Sequence, residues 1–246
     1  MSEARRIMEH ARQNAVLVRL IGGTAVILRD GSVAHPAFRR TPKDIDLVAG
    51  PKHGRKVERM LESIGYVGNP RFNRMNGGQR LLFYDTANGR QVDVFVGSFE
   101  MCHKLPIAAR LGIDRDTVPL AELLLTKLQI ARVNYKDLQD IWALLYSHDV
   151  GSADGELVNG SYVSDLLCRD WGLWRTCTAT LSMARERLGA VDIPDGDRAV
   201  VLARIDALTA MVDLQPKTVK WRVRSQVGDR VRWYQEPEEL AAATVT

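Results

Sequence analysis

Two aspartates with the spacing of metal ligands stand two residues apart in this chain. Asp44 and Asp46 alternate with Ile45 and Leu47, and in a β-strand this alternation places both acids on one face. Neighbouring carboxylates repel each other unless a cation lies between them. Ligands made only of oxygen suit Mg²⁺, with Mn²⁺ as an alternative. We therefore expect a divalent metal ion at this strand.

A third acid lies in a later segment with the pattern of a strand. Asp93 stands among apolar residues within the stretch 91–96. A buried carboxylate needs a partner, and a metal ion shared with the first two acids would supply one. The sequence thus predicts Asp44, Asp46 and Asp93 as metal ligands and catalytic residues.

A glycine pair upstream of the acids has the pattern of a phosphate-binding turn. Residues 16–21 are strand-like, Gly22, Gly23 and Thr24 follow, and the next residues have the pattern of a helix. Glycines let backbone N–H groups approach a phosphate closely, and a helix N-terminus adds positive partial charge. An ordinary tight turn is the alternative for the glycine pair taken alone.

Basic residues near these motifs are candidates for binding a triphosphate. Arg39 and Arg40 precede the acid pair and either contact phosphate or belong to a solvated loop. Lys127 lies on the apolar face of a helix predicted from Pro119, where its ammonium group needs a negative partner unless it reaches solvent. Asp137 opens the next helix on the edge of its buried face and is either part of the site or a helix-dipole residue.

Composition limits the class of protein. The chain has 246 residues, 46% hydrophobic and 26% charged, with a net charge of +4. This mixture is typical of a globular protein of one domain or two small ones. The three cysteines suggest no disulfide framework, and no apolar run is long enough to span a bilayer, so we expect a cytoplasmic protein without membrane association.

The hydrophobic pattern predicts an α+β core followed by a helical region. Helices are expected near 2–14, 54–64, 119–131 and 136–147, and strands at 72–75, 79–84 and 91–96. A stretch rich in Gly, Ser and Asp at 151–160 suggests a linker. We therefore divide the chain into a catalytic core, 1–150, and a helical C-terminal region, 151–246.

The C-terminal region ends in a basic and aromatic tail. Its cations and aromatic residues alternate between residues 215 and 234. They are Lys217, Lys220, Arg222, Arg224, Arg230 and Arg232, with Trp221, Trp233 and Tyr234. This composition suits a nucleic acid whose bases stack on aromatic rings. A surface element whose Arg stems cover the Trp rings is the alternative.

Together, these motifs resemble the DNA polymerase β-type nucleotidyltransferase superfamily. Residues 124–128, Leu-Leu-Thr-Lys-Leu, and 136–141, Lys-Asp-Leu-Gln-Asp-Ile, are similar to the second half of its AbiEii-type toxin group, in which Arg is usual in place of Lys136. The gap between Gly23 and Asp44 is also longer than is common in the superfamily. The resemblance extends over roughly residues 17–145.

The resemblance implies a Mg²⁺-dependent transfer of a nucleoside monophosphate from an NTP such as ATP to an acceptor hydroxyl. The acceptor implied is RNA, such as a tRNA end, in a toxin–antitoxin setting with an antitoxin protein as partner. The nucleotide would be bound by the glycine turn, the basic residues and the second-helix acid, namely Gly22, Gly23, Thr24, Arg39, Arg40, Lys127 and Asp137. Lys127 would neutralise the leaving pyrophosphate. An antibiotic-type adenylyltransferase and a non-catalytic nucleotide- or RNA-binding module are the alternatives.

Overall fold

A five-stranded mixed sheet is the centre of the α+β part of the fold. The computed structural model describes residues 2–31 and 35–236. The strands of the sheet are β1 (Val18–Ile21), β2 (Ile45–Ala49), β3 (Val67–Gly68), β4 (Arg80–Asp85) and β5 (Arg90–Val96), and their order across the sheet is β1-β2-β5-β4-β3. Two small two-stranded pairings follow: β6 (Phe99–Glu100) with β7 (Lys104–Leu105), and β8 (Val150–Gly151) with β9 (Val158–Asn159).

The parallel pairing of β2 with β5 determines where the acids lie. The other neighbours in the sheet, β1 with β2, β5 with β4 and β4 with β3, are antiparallel. In the β2–β5 pair, Asp46 is directly opposite Asp93. Residues opposite each other in adjacent strands point to the same face, so this register brings two of the three predicted acids together.

Helices surround the sheet and continue into the C-terminal half. They are α1 (Ser2–Gln13), α2 (Gly22–Asp30), α3 (Gly54–Ser63), α4 (Pro70–Met75), α5 (Leu120–Leu128), α6 (Tyr135–Ser147), α7 (Gly160–Leu167), α8 (Trp171–Leu188), α9 (Asp195–Leu214) and α10 (Val219–Val227). Every residue of α5 is buried, because this helix packs on α2, α6, α7 and α8. The helix that carries Lys127 therefore lies between the sheet and the C-terminal helices.

Most predicted elements are confirmed, and one is wrong. Residues 72–75 were expected as a strand but lie in α4. Pro70 occupies the first turn of this helix, and the Asn69 side chain accepts a hydrogen bond from the backbone N–H of Phe72 at 3.0 Å. An Asn cap followed by Pro is a strong local signal for a helix start, so residues 72–75 continue a helix and do not form a strand.

The hydrophobic core extends without interruption from the sheet into the helical region. Trp142 of α6 is fully buried, and its indole N–H donates to the carbonyl of Ala184 in α8 at 2.9 Å. Trp171 and Leu181 of α8 are buried, and Trp174 is half-buried. The division of the chain at residue 150 stays a prediction. Across the described part of the chain, no helix combines the length and apolar character needed to cross a membrane.

Candidate active site

Asp46 and Asp93 form the centre of the candidate site, with Asp44 at its edge. Asp44 is exposed and directly precedes β2, whereas Asp46 is half-buried and Asp93 is buried. The apolar residues that alternate with them, Ile45 and Leu47, are buried in the core. The predicted alternation of the acid pair is therefore observed.

Burial, and after it repulsion by a neighbouring carboxylate, disfavours the negative charge of Asp46. Desolvation of its carboxylate, with the Asp93 carboxylate next, raises the pKa of Asp46 to about 7 from 3.8, while Lys127 acts in the opposite direction. Desolvation and the charge of Asp93 also raise the pKa of Asp44. Both acids therefore occupy positions where a cation would relieve an unfavourable charge.

Asp93 already has a cationic partner within the protein. The Arg80 guanidinium donates to both oxygens of Asp93, with its Nη2 2.5 Å from Oδ2 and its Nε 3.0 Å from Oδ1. Arg80 also lies over the ring of Phe95, 4.8 Å from the centroid. Within residues 2–31 and 35–236, no three or more His, Cys, Asp or Glu side chains are grouped closely enough to hold a metal ion. The three-ligand metal site stays a prediction.

The glycine turn packs directly against the acids. Gly22 has a φ of +65°, and a Cβ added there would lie 2.0 Å from Oδ2 of Asp46. A Cβ added at Gly23 would lie 2.0 Å from Nη2 of Arg40. The Thr24 hydroxyl donates to the carbonyl of Asp44 at 3.1 Å. Helix α2 begins at Gly22 without a side-chain cap, so no capping side chain binds its first N–H groups.

Changing Gly22 to alanine is expected to destabilise the protein by about 2 kcal/mol or more, because the new methyl group combines backbone strain with a clash against Asp46. Gly77→Ala is the matched control, since Gly77 has a φ of +57° but no atom within 4 Å of an added Cβ. Chemical denaturation of both variants measures the difference. Equal losses would mean that backbone strain alone requires glycine at Gly22.

Lys127 belongs to a buried cluster of opposite charges. Its ammonium group lies 2.8 Å from Oδ2 of Asp140 and 3.5 Å from Oδ1 of Asp137. Burial lowers the pKa of Lys127, but these carboxylates outweigh burial and the net shift is upward. Arg40 forms a two-point contact with the same Asp140, with Nε 2.7 Å from Oδ1 and Nη2 2.6 Å from Oδ2. Asp140 therefore fixes two cations beside the glycine turn.

The contacts of Lys127 and Asp137 decide between the alternatives stated for each residue. Lys127 is buried and paired, so its ammonium group does not escape to solvent. Asp137 and Asp140 are the negative partners that the sequence requires for Lys127. Asp137 also acts at the start of its helix, because its side chain accepts a hydrogen bond from the backbone N–H of Asn134 in a capping box. One carboxylate thus serves both the helix start and the charge cluster.

Two residues of the site were not predicted. Asp140 lies in the segment 136–141, which resembles the AbiEii-type group. Its position about one helical turn after Asp137 indicated that both acids lie on a similar face. Nothing in the sequence near Arg80 points to Asp93. The two residues form an ion pair only because β4 pairs with β5. Arg39, which was predicted to bind nucleotide, is exposed.

A cavity of about 370 Å³ opens beside Asp44, but Asp46 and Asp93 do not line it. Thr24, Arg40, Lys43 and Asp44 contribute to its wall from the site, and Arg90 from β5. This wall carries more positive than negative side chains, with Glu3 as a further acid. The cavity is large enough for a small-molecule substrate. Arg40 is paired with Asp140 and Arg90 with Glu3, so the wall is mixed in charge rather than acidic.

No protein-family model and no curated protein matches this chain. The case for a function therefore rests on the residues and on the geometry of the site.

Proposed function

We propose that this protein is a metal-dependent nucleotidyltransferase that moves a nucleoside monophosphate from an NTP to an acceptor hydroxyl. The observation that carries the proposal is the pairing of Asp46 with Asp93 on parallel strands, directly against the Gly22 turn at the start of a helix. Such a site offers acids for a cation and N–H groups for a phosphate side by side. The polymerase β-type core and the AbiEii-like group are part of this proposal.

The acids present fit a divalent cation. Asp44 and Asp46 would hold Mg²⁺ or Mn²⁺, and the cation would stabilise their charged forms against the burial and the repulsion by Asp93 that raise their pKa values. Asp93 would join them once its hydrogen bonds from Arg80 open. When bound, the metal ion would polarise the phosphate oxygens and make the acceptor hydroxyl more acidic.

In the proposed reaction, the acceptor oxygen forms a bond to the α-phosphorus of the NTP while the bond to the pyrophosphate leaving group breaks. The acceptor proton passes to the Asp93 carboxylate. The first N–H groups of α2, at Gly22, Gly23 and Thr24, bind phosphate oxygens. Arg40 and Lys127, held in place by Asp140, neutralise the pyrophosphate as its charge develops.

The charge of the cavity beside Asp44 favours this proposal over an antibiotic-type adenylyltransferase. Cationic antibiotics require an acidic cleft, whereas this wall combines Arg40, Lys43 and Arg90 with Glu3 and Asp44. A non-catalytic binding module would not need a carboxylate at Asp46, where burial and Asp93 disfavour its negative charge. The resemblance is the reason to propose RNA as acceptor and an antitoxin as partner.

Incubation with each of the four NTPs, labelled at the α-phosphate, is the direct test. In the presence of Mg²⁺ and total RNA, we expect label to appear in RNA with one preferred nucleotide and pyrophosphate to be released. Reactions with Mn²⁺, with tRNA alone and without acceptor identify the metal and the acceptor. If no NTP releases pyrophosphate or labels any acceptor with either metal, the protein is not a nucleotidyltransferase.

A further inference from the structure

A cavity of about 570 Å³ lies between the start of α3, helix α4 and the turn before β4. Val96 of β5 contributes to its wall, whereas Asp44, Asp46 and Asp93 do not. Asp93 stands three residues before Val96 on the same strand, and residues an odd number of positions apart point to opposite faces of a sheet. The cavity is therefore separate from the candidate active site.

The wall of this cavity is held in shape by backbone contacts. A Cβ added at Gly54, the first residue of α3, would lie 3.4 Å from Cγ1 of Val96 and 3.7 Å from the carbonyl oxygen of Gly78. The backbone N–H of Gly78 donates to the carbonyl of Asn73 at 3.3 Å, and that of Val96 donates to the carbonyl of Gln79 at 2.8 Å. Helix, strand and turn therefore give the cavity a defined shape.

Three cationic side chains line the cavity from different segments. Lys52 precedes α3, Arg55 lies in its first turn, and Arg74 lies in α4. All three are exposed, and none of them forms an ion pair in the part of the chain that the structure describes. Arg74 donates from Nε to the carbonyl of Pro70 at 3.1 Å. Glu58 is the one acid among the described residues of the wall, so three cations against one carboxylate make the cavity positive.

Neutral donors in the wall favour the same kind of ligand. No side chain caps α3, so no capping side chain binds its first N–H groups, and Gly54 and Arg55 line the cavity. Asn73 lines it as well and is only 9% exposed. Its Oδ1 accepts from the backbone N–H of Leu82 at 2.7 Å, but its NH₂ group has no acceptor among the described residues. A buried residue with a free NH₂ group favours a ligand that supplies an acceptor.

We propose that this cavity binds a small phosphate ester of nucleotide size. Its phosphate groups contact Lys52, Arg55, Arg74 and the start of α3, and its apolar part rests on Leu81 and Val96. Guanidinium groups and helix N-termini both bind phosphate, and small-molecule sites have volumes of about 300–1,000 Å³. The inference does not rest on the proposed function, because neither the acids nor a metal ion takes part.

A small molecule fits this cavity better than a segment of single-stranded RNA. Proteins that bind single strands stack the bases on aromatic rings. No aromatic side chain among the described residues lines this cavity, and its apolar wall includes the aliphatic side chains of Leu81 and Val96. The ligand expected here is therefore a phosphate ester and not RNA.

Each of the two helices supplies one cation to the cavity and also carries a cation that does not line it. The test variant combines Arg55→Gln in α3 with Arg74→Gln in α4. The control combines Lys56→Gln with Arg71→Gln, at exposed positions outside the wall of the cavity. Both variants remove two charges from the same two helices, and neither breaks an ion pair of the described structure. Both should therefore retain the Tm of the wild type.

Isothermal titration calorimetry of the whole protein with ADP, in EDTA and at low salt, tests the inference. We expect the test variant to bind ADP about tenfold more weakly, because two charge-assisted contacts to phosphate are lost. The control should stay within about twofold of the wild type, because charges outside the cavity act only at long range and are screened. Adenosine, which has no phosphate, should not bind. Inorganic pyrophosphate should bind more weakly than ADP, because it has no apolar part.

Equal weakening of ADP binding by the two variants would indicate a diffuse basic surface and would overturn the inference. A wild type that does not bind ADP with a Kd below about 1 mM would also overturn it. Asp46→Asn separates this cavity from the candidate active site, since it should leave ADP binding in EDTA unchanged. If Asp46→Asn changes the affinity and the test variant does not, ADP binds at the acid pair and not in this cavity. A failure of nucleotide transfer would leave all of these results unchanged.

Discussion

Replacing Asp46 with asparagine is expected to reduce nucleotide transfer by about a thousandfold or more, because it removes the central carboxylate that would hold the cation at the reacting phosphate. The fold should be retained, since asparagine has nearly the same shape and Asp46 forms the closest contact of the Gly22 turn. Transfer of labelled nucleotide to RNA measures the effect. Full activity of Asp46→Asn would show that Asp46 holds no catalytic metal.

The same substitution should stabilise the metal-free protein above neutral pH. Because the folded pKa of Asp46 is about 7 and the ordinary value is 3.8, the folded state retains a proton that the unfolded state has lost. The free energy of unfolding of the wild type should therefore fall, relative to the variant, as pH rises from about 4 to 7, and stay level above. The full difference is at most about 4 kcal/mol.

Chemical denaturation across this pH range in the presence of EDTA measures the difference between the two proteins. Asp30, a second buried acid whose pKa burial raises to about 7, is present in both and cancels. Added Mg²⁺ should stabilise the wild type but not Asp46→Asn. A pH-independent difference between the proteins would show that Asp46 is not the group under strain.

Lys127→Met is expected to reduce transfer by about 10²- to 10³-fold and to cost no more than about 1–2 kcal/mol of stability. Methionine fills the space of the lysine stem and has no charge to desolvate. Asp140 keeps its two hydrogen bonds from Arg40, and Asp137 keeps its place in the capping box, so neither acid is left without a partner. Transfer kinetics and chemical denaturation together measure the effect.

Two other variants separate the role of the charge from that of packing. Asp140→Asn would leave Lys127 and Arg40 buried without their shared carboxylate, at a cost of about 3–5 kcal/mol. Arg110→Met breaks a different buried ion pair on α5, with Glu122, and should reduce stability but not the activity per folded molecule. If Lys127→Met behaves like Arg110→Met, Lys127 is a structural residue.

Patterns among neighbouring residues were enough to predict most of the helices and strands and part of the candidate site. The glycine pair, the alternation of Asp44 and Asp46 and the apolar stripe around Lys127 each depend on neighbours within a few residues, and each is found as predicted. Such patterns are readable because backbone conformation and the periodicity of burial are local properties. The exception is α4, although its start at Asn69 and Pro70 is itself a local signal for a helix.

The tertiary structure alone decided which charges meet. Arg40 and Asp140 are 100 residues apart in the chain, and Arg80 reaches Asp93 only through the pairing of β4 with β5. One cavity is likewise lined both by Trp221 and Trp233, near the end of the described chain, and by Lys104. A charge pattern in a sequence shows that a buried ion needs a partner but does not identify it, because many partners satisfy the same requirement. Strand order and helix packing select one of them.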